Sequence, residues 1–368
     1  MSGTARNRPE PPDVTMGVDP ATGRAQDVGV GATTPGMVCG HHHLYSTLAR
    51  GMPAPPMTPT NFLEVLQQIW WRLDVALDLE MLRWSAMLGA LEAIECGTTA
   101  IVDHHESPSA IEGSLDVIAD ACAEVGARVL CAYGVTDRHG PDGARRGLEE
   151  NERFLRSGGR GLVGVHAAFT CRQETLEGAA ALAEDLGVGV HVHVAEGDVD
   201  VAAGERLAPL VREDWLVVHG VHLDRQLPAT LAHNPRSNMN NAVGYARPRA
   251  WQGRVVLGTD GIGADMLEEF RLAYARAREA DISTTPEQAW EWVRAGWDLV
   301  PEAAGDRVRW DYDGADDPWR LAFTPGVRAL DVWVGDEQVL AGGRATRVDA
   351  YEVRAKAAEQ ARRLFERL

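Results

Sequence analysis

Several short apolar stretches of this chain end on groups that bind metal ions. Residues 37–43 read Met-Val-Cys-Gly-His-His-His and follow Pro35-Gly36. In an extended strand successive side chains alternate faces, so His41 and His43 point one way and His42 the other. Two converging imidazoles can fill two positions of one metal ion's shell, provided the fold brings further donors from far along the chain. Candidates lie in three later apolar runs. His191 and His193, with Glu196 just beyond, belong to GVGVHVHVAEG (187–197); His219 and His222 belong to WLVVHGVHL (215–223); Asp260, followed by glycine, ends RVVLGTDG (254–261). Each sits at the carboxyl end of a short β-type run.

Bringing these ends together requires a particular succession of elements. From Met37 onward, apolar β-branched runs alternate with segments of helical period: a strand into His41, helices over 60–95, a strand over 98–103 and a helix over 109–125. A strand over 128–133, a helix over 144–156, a strand over 162–166 and a helix over 173–186 follow, and further strands end near His193, His219, His233 and Asp260. Such alternation calls for a parallel sheet with helical crossovers. Eight strand-helix units predict a (β/α)8 barrel, in which the carboxyl ends of the strands ring one site. Only ten residues, with Pro228 among them, separate His222 from His233, so the sixth helix shrinks to about a turn. Beyond Asp260 the pattern predicts helices over 264–280 and 286–300, an acidic loop over 311–318, a hairpin over 327–340 turning at Gly335-Asp336, and an amphipathic helix over 349–368. Residues 1–34, rich in Pro, Gly, Thr and Asp, read as loop or at most one weak hairpin.

Composition narrows the function classes. With 36 Lys plus Arg against 54 Asp plus Glu, the net charge of -18 opposes nucleic-acid backbones and anionic membranes and favours a small-molecule partner. Lys356 is the only lysine, so the first 355 residues hold no P-loop lysine, Schiff-base lysine or carboxylated lysine bridging two metals. One metal ion is therefore favoured over a lysine-bridged pair. The 5 cysteines are an odd number without a Cys-x-x-Cys pair and read as buried reduced thiols. Residues 1–13 lack an apolar h-region and no run of 18 apolar residues occurs, so the expectation is a cytoplasmic protein that neither enters nor crosses a membrane.

Taken jointly, Pro-Gly followed by His41-x-His43, His193 with Glu196 three later, His219 in VHGVHL and Thr259-Asp260-Gly261 resemble the amidohydrolase superfamily, in its cytosine-deaminase-like branch with guanine deaminases and triazine hydrolases. HHHLYSTLARGM, VDHHESPSAIEGSL, HNPRSNMNNAVGY and GTDGIGADMLEE look closest to the aminohydrolases of that branch associated with selenium metabolism. The resemblance covers 35–280 well and 328–368 loosely. It implies that His41, His43, His193 and Asp260 hold one Zn2+ per chain, with Fe2+ as an alternative. It makes Glu196 the general acid/base, His219 the group that orients water (a metal ligand too in some members) and His166 a substrate contact, and Asp260 would join His219 in orienting that water and receiving its proton. It further implies a homodimer, and a barrel over 35–310 joined by a small, reduced β-sandwich from 1–34 and 311–348, with a terminal helix over 349–368. The chain departs from the family in its short N-terminal portion, its curtailed sixth helix and the stretch WDLVPEAAGDRVRWDYDG (297–314).

The implied chemistry is hydrolytic deamination. A divalent ion among three neutral imidazoles and one carboxylate lowers the pKa of a water from 15.7 to about 7. Glu196 lies beyond the strand's regular pleat, so it can face the substrate while His193 faces the metal. As the acid it would protonate a ring nitrogen while hydroxide adds to the adjacent sp2 carbon of an N-heterocycle or amidine, and ammonia would leave. His166 would stabilise charge on a substituent. Two alternatives stay open: a hydrolase expelling an alkylamine or halide, and a catalytically silent barrel serving as scaffold or partner subunit. His42, His104, His105, His191 and His222 read as hydrogen-bonded structural groups. Asn238, Asn240 and Asn241 read as turn residues. Trp70, Trp71, Trp290 and Trp292 read as core or subunit interface. Tyr45, Ser46 and Arg50 are placed either on the pocket or in solvated loop.

Overall fold

In a parallel sheet covered on both faces every strand position is buried, so its strands carry continuous apolar runs in place of alternation. The computed structural model, which describes residues 31–368 and a two-residue antiparallel ladder between Gly17–Val18 and Ala25–Gln26, bears this out. That ladder matches the weak hairpin read from the sequence; the loop expected over the rest of 1–30 lies outside the described residues. Eight strands among the described residues form the parallel framework: β1 Met37–His43, β2 Thr98–Asp103, β3 Arg128–Leu130, β4 Val163–Ala167, β5 Val190–Val194, β6 Leu216–His219, β7 Thr230–His233 and β8 Val255–Leu257. Every residue of these strands is buried except in β3, which is half-buried.

Pairing follows sequence order. β1, β2 and β3 form one parallel ladder and β4 to β8 another. Parallel bridges Cys131↔Gly161 and Val135↔Val165 link β3 to β4. At the other margin the chain changes partner: Gly258 N–H still donates to His233 O at 3.0 Å, Thr259 N–H donates to His41 O at 3.0 Å, and Asp260 then pairs with His42. This switch draws Asp260 alongside the His-His-His run.

Helices connect the strands much as periodicity predicts. Gln173–Leu186 has the expected bounds and stops at Gly187, whose φ of 67° suits a residue without Cβ. Met266–Ala280 starts at Asp265, which accepts the N–H groups of Leu267 and Glu268. Between β6 and β7 the described chain makes turns and no helix, as Pro228 and the short spacing require. Two features were not foreseen. The helices expected over 60–95 are Phe62–Val65, Trp71–Ala76 and, from the Asp78 cap, Leu79–Glu95, but a π turn over Leu66–Trp70 joins the first two. A short helix, Pro235–Asn240, follows β7 where a turn was expected, because Pro235 at its first position presets the helical φ.

A five-stranded antiparallel sheet assembles Arg344–Ala345, Glu337–Ala341, Ala329–Val334, Arg307–Trp310 and Thr33–Thr34, in that order. The hairpin turns at Gly335-Asp336 as read from the sequence; Arg307–Trp310 extends the sheet to residues ahead of 311. Trp310 is buried against Gly97, just before β2, so this sheet sits at the amino end of the parallel strands, away from the histidines. Helix Ala350–Phe365 packs Ala357 and Leu364 onto Met81 and Leu82 of Leu79–Glu95. The five cysteines are unpaired, and all but Cys96 are buried. Among the described residues no helix is long and apolar enough to cross a membrane.

Candidate metal centre and cleft

His41, His43, His193 and Asp260, from β1, β5 and the segment after β8, present one donor atom each, all within 4.8 Å of one another and all buried. His41 Nε2 and His43 Nε2 lie 3.2 and 3.1 Å from Asp260 Oδ1, and His43 Nε2 lies 3.2 Å from His193 Nε2. The other ring nitrogens point outward to fixed partners. His43 Nδ1–H donates to His104 O and His193 Nδ1–H to His166 O, both at 2.6 Å, while His41 Nδ1 meets His191 Nε2 at 2.8 Å. Backbone carbonyls only accept, so Nδ1 of His43 and His193 carries the proton and Nε2 offers a lone pair inward.

Lone pairs facing each other in a buried site repel unless a cation lies between them. Three imidazole nitrogens and one carboxylate oxygen suit zinc or ferrous iron, and bonds of 2.0–2.1 Å in a tetrahedron place donors about 3.3 Å apart, close to the spacings seen. The residues therefore fit a single divalent ion. The protonation balance agrees. Despite burial, the imidazoles of His41 and His43 beside it hold the Asp260 carboxyl well below its ordinary value. Burial opposes a charge on His43, yet the carboxylate of Asp260, with the charge of Glu106, favours positive charge at this position, which a cation between the donors would supply. The cluster thus demands positive charge.

Glu196, His219 and Asp260 form an adjoining group. Ala195 adopts φ 47°, and this left-handed residue turns Glu196 out of the alternation of β5 toward the cleft. Glu196 Oε2 lies 3.3 Å from His219 Nε2, and Oε1 accepts from Asn241 Nδ2 at 3.3 Å. Burial, reinforced by the charge of Asp260, pushes Glu196 well above the ordinary carboxylate range and so favours its protonated form. Burial lowers His219, whose Nδ1 bonds Asn238 Oδ1 at 2.8 Å; a neutral ring with its proton on Nδ1 leaves the Nε2 lone pair free. Asp260 Oδ2 accepts from Ser237 Oγ. His219 and Asp260 also hold left-handed φ, 70° and 56°. A residue with a Cβ pays roughly 1–2 kcal/mol for this conformation, and such strain clusters at functional sites.

The donors open onto a cleft of about 670 Å3, its mouth included, with Phe62, Trp70, Trp71 and Phe169 on one side and Glu106, His166 and Glu196 among its polar lining. His166 Nδ1 bonds Thr170 Oγ1 at 2.7 Å, and its Nε2 lies 3.6 Å from Glu106 Oε1. Arg138 bonds Glu106 Oε2 at 2.6 Å and Asp74 Oδ2 at 2.8 Å, and its guanidinium stacks 4.6 Å from the Trp71 ring centre. Burial pushes Glu106 up to about 8, with Asp74 adding to the rise and Arg138 opposing it.

A profile described as the amidohydrolase family matches residues 32–294. The chain belongs to the amidohydrolase family. Among curated relatives, it is 33% identical over 270 residues to the 5'-deoxyadenosine deaminase of Methanopyrus kandleri, covering 65% of this chain and 60% of that protein. It is 31% identical over 270 residues to the 5-methylthioadenosine/S-adenosylhomocysteine deaminase of Syntrophomonas wolfei, covering 64% and 60%. The matched region thus spans about three-fifths of the length of these relatives. Among solved structures, a zinc-bound adenosine deaminase from Xanthomonas campestris superposes with a TM-score of 0.77 at 21% identity over 91% of this chain and 86% of that one. The zinc complex of atrazine chlorohydrolase TrzN from Arthrobacter aurescens gives 0.75 at 18% identity over 89% and 88%. These similarities establish an α/β fold with parallel sheets.

Several residues of this amidohydrolase that shape the cleft escaped the sequence reading. Asn238 and Asn241, taken as turn residues, orient His219 and Glu196. Trp70 and Trp71, assigned to core or interface, wall the cleft. Tyr45 and Ser46 line it, whereas Arg50 pairs with Glu92 at 2.6 Å outside it. Glu106 was not singled out, although its place directly after the second strand, in VDHHE, is where barrel folds carry functional groups. Among the remaining histidines, His42 Nδ1 bonds Thr259 Oγ1 at 2.8 Å, His105 Nε2 bonds Ser107 Oγ at 2.7 Å and His222 Nε2 donates to Val243 O at 2.9 Å, in keeping with structural roles.

Proposed function

We propose that this amidohydrolase is a mononuclear metal-dependent aminohydrolase that releases ammonia from the amidine carbon of an N-heterocycle, with adenosine-type nucleosides as the first class to test. The observation that carries the reading is a buried three-nitrogen, one-oxygen donor set adjoining the Glu196 carboxyl. The names of the curated relatives support the substrate class. The ordered parallel ladders, the bridges from β3 to β4 and the change of partner at 258–259 support closure of the eight strands into a (β/α)8 barrel over 35–310. The antiparallel sheet supports a small appendage of β-sandwich type formed from both ends of the chain. The family resemblance supports a homodimer.

His41, His43 and His193 through Nε2, and Asp260 through Oδ1, would hold one zinc or ferrous ion. When bound, that ion supplies Lewis acidity that makes hydroxide available near neutral pH. Glu196 delivers its proton to the ring nitrogen beside the attacked carbon. His219 Nε2, held by Asn238, accepts a proton from the attacking water, and Asp260 Oδ2, held by Ser237, orients it. The carbon–amine bond then breaks: the proton taken up by His219 leaves in ammonia, the remaining hydroxyl proton returns to Glu196 as the carbonyl forms, and the ring nitrogen keeps the proton it received. His166 and Glu106 face the rest of the substrate, and the aromatic side excludes bulk water.

Zinc-loaded protein should contain one metal per chain and release ammonia from at least one member of a panel of adenosine-type nucleosides, purine and pyrimidine bases and triazines. Glu196→Gln should lower turnover by about 10²- to 10⁴-fold while keeping the metal. Undiminished turnover in that variant, or no ammonia from any substrate with the metal in place, would overturn the proposal.

A further inference from the structure

We propose that His191 is a positioning residue for the metal centre: it accepts the Nδ1 proton of His41 and so fixes the tautomer in which His41 Nε2 can serve as a donor. The inference rests on the metal reading above. His43 and His193 lean on backbone carbonyls, which accept hydrogen bonds whatever their surroundings. His41 leans on another imidazole at 2.8 Å, and an imidazole can donate or accept.

Two arrangements of this neutral pair are possible. In one, His191 Nε2–H donates to His41 Nδ1, and the His41 proton sits on Nε2, 3.2 Å from Asp260 Oδ1, where it occupies the lone pair a cation needs. In the other, His41 Nδ1–H donates to His191 Nε2, and His41 Nε2 is free. The second forces the His191 proton onto Nδ1, a fully buried atom without a hydrogen-bond partner among the described residues. The neighbouring ring is suited to that outcome. His104 Nε2–H donates to Val165 O at 3.1 Å, which leaves its own buried Nδ1 as a lone pair, and its ring centre lies 4.8 Å from that of His191. Beneath the donors, then, His191 Nδ1–H lies beside a ring that carries no competing proton at Nδ1, although the two atoms are not hydrogen-bonded, and a cation at His41 Nε2 selects the metal-binding tautomer of the pair. A group that orients a ligand in this way typically changes metal affinity by 10- to 100-fold.

The test compares zinc affinity, by competition with a chromophoric chelator, and thermal midpoints with and without zinc for the full chain, His191→Leu and His191→Gln. Leucine should weaken zinc binding about 10- to 100-fold and shrink the zinc-induced rise in midpoint without lowering the zinc-free midpoint. Glutamine, which keeps an acceptor, should stay within a few-fold of wild type on the order expected for a retained hydrogen bond. Equal zinc affinity in the leucine variant, or equal losses in both variants, overturns the inference while leaving the metal site standing. Failure of the wild type to take up zinc overturns both. A measurement without mutation guards against misfolding: histidine ring 15N spectra of zinc-loaded wild type should show His191 protonated at Nδ1, and protonation at Nε2 refutes the proposal.

Discussion

Replacing Arg138 by methionine tests whether the cleft wall is held by charge. Asp74 and Glu106 are almost fully buried, at 1% and 3% exposure, and Arg138 bonds both. Methionine keeps most of the volume but strands two carboxyl groups. Removing one partner from a buried ion pair costs about 3–5 kcal/mol, and losing the stacking on Trp71 adds about 0.5–2 kcal/mol. The loss should depend on pH. Burial already raises both acids, Glu106 to about 8, against the pull of Arg138, and without that pull they rise further. A carboxyl raised in the folded state stabilises through its protonated form, fully so below the unfolded value, and this stability fades as pH climbs toward the folded one. Arg138→Met should therefore be mildly destabilised at pH 5.5 and lose progressively more as pH rises to 9, read from urea unfolding midpoints. Adding Asp74→Asn and Glu106→Gln, which removes the stranded charge, should recover much of it. A loss below about 1 kcal/mol at both pH values, or one that shrinks as pH rises, would refute the reasoning.

Asn238→Leu removes the acceptor that orients His219; kcat should fall about 10- to 100-fold with zinc content unchanged, measured by ammonia release and metal analysis. Gly97→Ala places a Cβ 2.3 Å from Trp310 Cη2 at φ 76°, so the denaturation midpoint should drop by the equivalent of about 2–4 kcal/mol, while the kcat of protein that remains folded stays the same. Stripping the metal with a chelator should abolish turnover and lower the thermal midpoint, and zinc should restore both.

The four candidate metal donors were legible because each closes an apolar run and strand geometry fixes which side chains share a face. His41 and His43 converge as the two-residue period requires, and Gln173–Leu186 has its read bounds because Gly187 is the natural stop. What stayed hidden depends on contacts between distant segments. Asp74, Glu106 and Arg138 are three isolated charges in three unrelated stretches, and only folding makes them one network. Trp70 and Trp71, read as core or interface, do pack on hydrophobic clusters, but they also line the cleft beside a π turn over Leu66–Trp70 that a regular helical period does not reveal. The left-handed backbone at Ala195, His219 and Asp260, which aims the reactive groups, runs against local preference and leaves no mark in composition.

The change of partner at Gly258 and Thr259 gives the cation a second office. Asp260 meets His41 across a separation of 219 residues, where the segment after the last parallel strand pairs with the first. An ion bound there would clasp the two ends of the framework together, shutting a very long loop that the short Asp260–Gly261 pairing alone secures weakly. Loss of the ion should loosen that pairing before any other part of the sheet, with amide exchange quickening first at 37–43 and 255–261.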